Sequence, residues 1–252
     1  MKKENVLSLS DQSKAVIFGS LLGDGSLKIH KGYANARFSF KHSKPQEEYF
    51  FWKVGMLSEI SQGSCVFKQA PSGFGTKEIL RYQSMTSEAL TDLYRLTHRS
   101  GHFLVRRTWL NKMTPLSLLV WWLDDGSIVG NARKGVLCTD GFDEQSVKRL
   151  SQYLKVVWKV NAHVGTVGSK RGGTRSTYYR LWFSTEELKK FLRIILPHFK
   201  TASLLPKMIL LYRDPELLQR WISEIVTLSG LPEQTVKMFV KEKQEKWKQY
   251  RE

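Results

Sequence analysis

Several things are scarce in this chain. It has two cysteines, Cys65 and Cys138, in 252 residues, too few for a disulfide framework or a cysteine-built zinc site, so a reducing compartment is its natural setting. Long apolar runs are missing. The greasiest stretch, 116–123, falls well short of the roughly 20 residues that cross a bilayer, so it reads as a core helix and no membrane association is expected. Residues 1–9 carry basic side chains without the apolar centre of a secretory signal, so secretion is not expected either. No glycine loop is built to cradle a phosphate, and no serine or cysteine triad is singled out by spacing. His98 and His102 are four apart but lack a third ligand nearby, which argues against zinc. Acidic residues are also short: 40 Lys and Arg stand against 23 Asp and Glu, for a net charge of +17.

That charge is spread along the whole length. Residues 1–126 hold 17 basic and 11 acidic side chains, and residues 127–252 hold 23 and 12. Both halves are basic, as a two-lobed grip on nucleic acid requires. An apolar content of 41% permits a full core in one large domain or two small ones.

Two stretches organise the rest, AVIFGSLLGDGSL (15–27) and TPLSLLVWWLDDGS (114–127). Each has apolar residues at helical spacing and stops abruptly at Asp-Gly-Ser. Asp24 and Asp125 therefore stand at helix C-termini, where the macrodipole already disfavours a carboxylate by about 0.3–1 kcal/mol. Two such carboxylates on helices packed side by side make a site short of positive charge, which a divalent cation supplies. Ala15, Gly19 and Gly23 recur every fourth position and form a slim face onto which Val120 and Trp121 of the second helix can pack.

The order of elements then repeats. After the first motif come a hairpin (26–30 and 34–41), a helix (45–60, with Tyr49, Trp52, Val54 and Met56 available for burial), a second hairpin (66–69 and 78–85, around a loop at 71–75) and a helix (87–97). After the second motif come strands 127–129 and 135–139, a helix (143–158), strands 162–167 and 177–183 around the glycine-rich basic loop 168–176, and a helix (185–196). Beyond Pro206 short helices are expected at 208–212, 215–228 and 233–251. The segment 222–240 has the outline of a helix-turn-helix, with Gln234, Thr235 and Lys237 on its second helix, and a plain helical hairpin is the blander account.

Strand alternation turns one face of each sheet outward. Arg37, Ser39 and Lys41 oppose Phe38 and Phe40, and Tyr178, Arg180 and Trp182 oppose Tyr179 and Leu181. A β-ribbon of this kind fits the major groove. Arg37, Lys41, Arg81 and Arg180, with Ser39 and Gln83 as polar partners, are the candidates for base contacts. Lys28, Lys31, Lys68, Lys77, Arg133, Lys134, Lys170, Arg171 and Arg175 are the candidates for backbone phosphates.

Ile17 to Gly25 (IFGSLLGDG) and Leu118 to Gly126 (LLVWWLDDG) resemble the two signature motifs of single-chain LAGLIDADG homing endonucleases, and the second with its lead-in is the more specific. The likeness covers roughly residues 10–210. It implies an α+β fold made of a pseudo-twofold pair of αββαββα repeats, each contributing an antiparallel sheet to half of a DNA-binding saddle. By that reading 1–110 is the N-terminal repeat, 111–206 the C-terminal repeat and 207–252 a helical extension. It further implies a monomer that cuts long double-stranded DNA sites with Mg²⁺, two or more ions being expected, and that is encoded in an intron or intein. Asp24 and Asp125 become the metal ligands, the backbone carbonyls of Gly23 and Asp124 further ligands, and the Asp124 side chain a structural partner at the helix junction. The family also places a basic residue upstream of the second motif, which Arg106 or Arg107 can meet. It places another in a Tyr-Lys-Leu-Pro-like segment near the end of the second repeat. Here this chain departs, reading Ser203-Leu204-Leu205-Pro206-Lys207, with Lys207 or Lys200 as substitutes. The rival expectations are an RNA maturase that helps its own group I intron to splice, and a DNA-binding protein of the same fold that has lost cleavage. The expected location is an organelle matrix or a bacterial cytoplasm.

Overall fold

The computed structural model describes residues 8–70, 78–171 and 174–249, with the side chains of 169–171, 174–175 and 248–249 excepted. The chain forms two compact units, divided between Asp124 and Asp125. That division differs from the repeat boundary at 110/111, because the second motif helix packs into the first unit up to its last residue but one.

In the first unit the order is α1 (Asp11–Leu21), β1 (Ser26–Lys28), β2 (Arg37–Ser43), α2 (Glu47–Met56), β3 (Val66–Gln69), β4 (Ile79–Gln83), α3 (Glu88–Thr97), a short hairpin of β5 (His98–Arg99) and β6 (His102–Phe103), α4 (Arg107–Leu110) and α5 (Pro115–Asp125). Ser10 caps α1 by accepting the Ser13 N–H, and Ser87 caps α3 by accepting that of Leu90. The sheet runs β1-β2-β4-β3, all neighbours antiparallel. His98 and His102 sit on the β5–β6 hairpin rather than on a helix.

The slim face expected on α1 is where α5 packs. A Cβ at Gly19 would lie 2.3 Å from the Ser117 carbonyl oxygen and 2.8 Å from Val120 Cβ, and one at Gly23 would lie 2.5 Å from Asp124 Cβ. Leu118 to Leu123 are all buried, the two tryptophans included. On α2 the inward stripe differs from expectation. Tyr49, Phe50 and Lys53 are buried, whereas Trp52, Val54 and Met56 are partly exposed. A lysine occupies a core position, because an acid waits for it there.

The second unit continues with β7 (Gly126–Val129), β8 (Lys134–Leu137), α6 (Glu144–Val157), β9 (His163–Arg171), β10 (Thr174–Phe183), α7 (Thr185–Ile195), α8 (Pro215–Ser229) and α9 (Glu233–Gln249). Its sheet, β7-β8-β10-β9, repeats the topology of the first. Asp143, Ser184 and Asp214 cap α6, α7 and α8, and Gly230 ends α8 in the left-handed region at φ 73°.

Two local expectations fail here. The glycine-rich stretch 168–176 is mostly strand, since the β9–β10 ladder extends to Arg171↔Thr174. Residues 208–212 form no helix. A 3₁₀ turn at Ala202–Lys207 precedes them, and the Leu211 N–H bonds to the Ala132 carbonyl instead of to its own turn. Lys243 of α9 is half-buried and donates to the carbonyls of Pro206 (2.6 Å) and Ile209 (2.7 Å). Burial pushes its ammonium down to about 7. Among the described residues no helix is long and apolar enough to cross a membrane.

Candidate active site

The two motif copies do not end alike. α5 stays helical through Asp125, but α1 stops at Leu21 and the chain turns through Leu22, Gly23 and Asp24. The Gly25 N–H reaches back to the Ser20 carbonyl at 2.7 Å, so Asp24 lies on a tight turn past the helix rather than in its last turn. The Asp24 side chain is 43% exposed, as a ligand must be.

Beneath it lies a buried ionic group that nothing in the spacing of the motifs announced. The Asp124 carboxylate and the Lys53 ammonium are both 0% exposed, with Nζ 3.1 Å from each oxygen. Tyr49 donates its hydroxyl to Asp124 Oδ1 at 2.7 Å, and the backbone N–H of Asp24 donates to Oδ2 at 3.2 Å. Four hydrogen bonds from three donor groups thus meet the roughly four lone-pair sites of one carboxylate, which is the condition under which a buried ion pair is tolerated. Lys53 also stands 4.4 Å from the centre of the Phe40 ring, and the face of that ring favours a cation. His42, on the inward face of β2, has Nδ1 3.5 Å from Asp24 Oδ2 and Nε2 3.5 Å from Lys53 Nζ. An ammonium beside Nε2 favours the tautomer with its proton on Nδ1, the nitrogen that faces Asp24.

Asp24, His42 and Asp124 bring ligand atoms within 4.8 Å of one another. Spacing alone would suit a cation. The cation is already present, however, as Lys53, and a second one would meet its charge. Of the three, only Asp24 is open to a metal, and the Asp124 side chain is the structural partner expected of it. A residue at 23 larger than glycine would clash with Asp124, so the Gly23–Asp124 pairing explains why the two copies differ at equivalent positions.

In the second unit, burial raises the Cys138 thiol. Arg180 and Lys207 act against the rise, whereas Asp140 and Asp125 add to it. All four charged groups therefore lie within electrostatic reach of one sulfur, and Lys207 shares a neighbourhood with Asp125. Lys200 is engaged elsewhere, donating to the Ser229 carbonyl at 2.9 Å. Arg106 is half-buried and donates to the Leu96 carbonyl at 2.6 Å, so it clamps the end of α3. Arg107 stays exposed, with Nε 3.3 Å from Asn111 Oδ1.

The outer face of the first sheet is the basic surface expected. Register places Lys28 opposite Arg37, Ser39 between Ser26 and Gln83, and Arg81 between Lys41 and Phe67. Arg81 also donates to Gln69 at 3.2 Å. Lys68 departs from the group. It pairs across the ladder with buried Leu80, so it points to the opposite face, 3.9 Å from Glu78. Lys31 is exposed in the β1–β2 turn.

On the second sheet Arg180 is held by Asp140 through contacts of 2.6 and 2.5 Å, which raise its already high pKa and fix its guanidinium. Trp182 lies across the face, its indole against Gly165, where a Cβ would approach to 2.7 Å. Tyr178 is half-buried, Lys134 is exposed where β8 begins, and Arg133 sits in the preceding turn. Lys77 and the side chains of Lys170, Arg171 and Arg175 lie outside the described residues.

A twice-repeated α-β-β-α-β-β-α order, with an acidic motif end opening each copy, defines a class. The chain belongs to the LAGLIDADG DNA endonuclease family, whose model matches residues 14–191. It is 28% identical over 216 residues to the protein RecA of Mycolicibacterium fallax, covering 79% of this chain and 47% of that one. The chain thus spans about half the length of the RecA relatives it matches. It is 21% identical over 177 residues to the cytochrome b mRNA maturase bI2 of Debaryomyces hansenii, covering 67% of each. Among solved structures, the homing endonuclease I-WcaI bound to its DNA recognition sequence aligns with a TM-score of 0.66 and 18% identity, over 82% of this chain and 89% of that one.

Proposed function

We propose that this protein is a site-specific endonuclease that hydrolyses both strands of DNA with divalent metal. The observation that carries the reading is Asp24, an exposed carboxylate on a turn tethered from below by Asp124, Lys53 and Tyr49. The donor set fits a hard cation such as Mg²⁺, which takes one or two protein carboxylates and fills its remaining positions with water and phosphate oxygen. Asp24 and Asp125 would hold it, with the carbonyls of Gly23 and Asp124 as further oxygen donors. When bound, the metal supplies positive charge to the phosphate under attack and lowers the pKa of water.

The side chains of the protein do the rest. Lys28, Arg37, Lys41 and Arg81 neutralise and read the duplex from one sheet face, and Ser39 and Gln83 add hydrogen bonds to base edges. His42 orients the Asp24 carboxylate from the core side. Lys207, in the neighbourhood of Asp125, is placed to offset charge on a phosphate there and takes the part of the lysine missing from the 203–206 segment. With both motifs in one chain, the protein acts as a monomer.

The test is incubation of the full chain and Mg²⁺ with duplex DNA spanning the uninterrupted insertion junction, beside Asp24→Asn and Asp125→Asn. Double-strand cleavage lost in both variants is expected, and cleavage that survives both substitutions overturns the reading. A second role is favoured by the match to the cytochrome b mRNA maturase: assistance to splicing of its own intron RNA, through the same basic faces and without either aspartate.

A further inference from the structure

The turn between β7 and β8 is strained. Gly130, Asn131 and Ala132 follow one another at φ 55°, 58° and 55°, a left-handed run that L residues disfavour. Ala132 is fully buried, and its carbonyl is bonded to the Leu211 N–H at 3.0 Å, which pins the turn to the chain entering the C-terminal extension. Strain of this kind is retained where the surroundings over-determine it, commonly beside ligands. What it presents here is the side chains of Asn131 and Arg133, at the rim of a cavity of about 560 Å³ completed by Tyr212, Arg213, Gln244 and Trp247. The far wall is equally fixed, since Lys243, adjacent to Gln244 on α9, is anchored to Pro206 and Ile209.

The chemistry of the lining is specific. No carboxylate among the described residues forms an ion pair with Arg133 or Arg213. The nearby acids Glu186 and Glu224, whose fields reach Tyr212, are engaged by Lys189 and Arg193. The Tyr212 hydroxyl is buried and has no hydrogen-bond partner among the described residues, a vacancy that calls for an explanation. Two open guanidinium groups suit a phosphate. An indole and a phenol suit the face of a base, and two side-chain amides suit its edge.

We propose that this cavity binds one nucleotide of a single-stranded nucleic acid. Arg133 and Arg213 take the phosphate, Trp247 and Tyr212 take the unstacked base, and Asn131 and Gln244 read its edge. A duplex, with its bases stacked, does not offer that shape. Apart from Arg133, the site shares no residue with those named for the duplex, and it lies wholly in the second unit.

Fluorescence anisotropy of labelled single strands of about 12 nucleotides, DNA and RNA in separate arms, tests this without divalent metal. Competitors are adenosine monophosphate and inorganic phosphate, and a duplex serves as the reference. Arg213→Ala, at an exposed position, and Trp247→Leu are each expected to weaken single-strand binding by roughly tenfold or more while duplex binding changes little. Adenosine monophosphate displaces the strand better than phosphate does. The tighter of the two nucleic acids identifies the natural source. Unchanged single-strand binding in Arg213→Ala, or equal displacement by phosphate and adenosine monophosphate, overturns the proposal. Neither result bears on duplex cleavage, so the two readings fail separately.

Discussion

Replacing Lys53 by methionine keeps most of the side chain's volume in the core and removes its ammonium. Asp124 then loses the ammonium that balances its charge while keeping the Tyr49 hydroxyl and the Asp24 N–H as donors, at a position that water does not reach. Breaking a buried pair from one side costs about 3–5 kcal/mol, a large share of the roughly 5–15 kcal/mol that holds a protein of ordinary stability. Removing both charges is a different matter. In Lys53→Met with Asp124→Leu no orphan charge remains, so the double variant should be more stable than either single one. The coupling from the double-mutant cycle should reach about 2 kcal/mol or more, within the range measured for residues in one network. Urea denaturation followed by circular dichroism provides the four stabilities. Stability restored in the double variant does not restore the Asp24 tether, because its N–H has lost the acceptor at 3.2 Å. Amide exchange at Asp24, measured on metal-free protein, should therefore stay fast in the double variant. A loss of under about 1 kcal/mol in Lys53→Met, the value typical of an exposed pair, would refute the argument, as would slow exchange at Asp24 after Asp124 is replaced.

Three further outcomes follow from other parts of the chain. Gly23→Ala puts a methyl group 2.5 Å from Asp124 Cβ, and it should destabilise by about 1–3 kcal/mol, as overpacking does; thermal unfolding checks it. Asp143 caps α6, accepting the N–H of Ser146 at 2.9 Å and its hydroxyl at 2.8 Å, and these bonds hold its carboxyl below the usual value of 3.8. Because the folded pKa is the lower one, its contribution is present above pH 3.8 and fades as pH falls through the folded value. Asp143→Ala should cost about 1 kcal/mol at neutral pH and less at the acid end of a stability profile. Arg81→Ala should weaken duplex binding by about 1–3 kcal/mol if it reads guanine, relaxing one position of the site, whereas Lys31→Ala should mainly reduce the salt slope; competition binding across salt concentrations separates the two.

Periodicity made most of the framework legible. The helix Pro115–Asp125 is legible within the 114–127 stretch because an unbroken apolar run between Pro and Gly leaves a helix few other limits. The outward face of β2 was legible because Arg37, Ser39 and Lys41 alternate with buried Phe38, Phe40 and His42. What stayed hidden was pairing between distant positions. Lys53 had a signal, a charged residue in line with Tyr49 and Leu57 on the buried stripe, but its partner lies 71 residues on. Residues 168–176 read as a loop because glycine is common in loops, yet Gly165 and Gly168 both sit in a ladder, and at Gly165 the Trp182 indole of the neighbouring strand supplies the bulk. Charge makes Lys68 a candidate for a backbone phosphate, but only cross-strand register shows that it lies on the face opposite Arg81.

The tie between Lys53 and Asp124 also limits how such a chain can be recombined. A gene built from two similar repeats invites the exchange of one half for that of a cousin. Here residues 1–110 and the helix that follows share an acid, its base and the glycine that makes room for them. A donor segment with an ordinary apolar residue at position 53 would inherit the acid without its base. Hybrids joined at the repeat boundary should therefore fail, and joints placed after Asp124 should succeed.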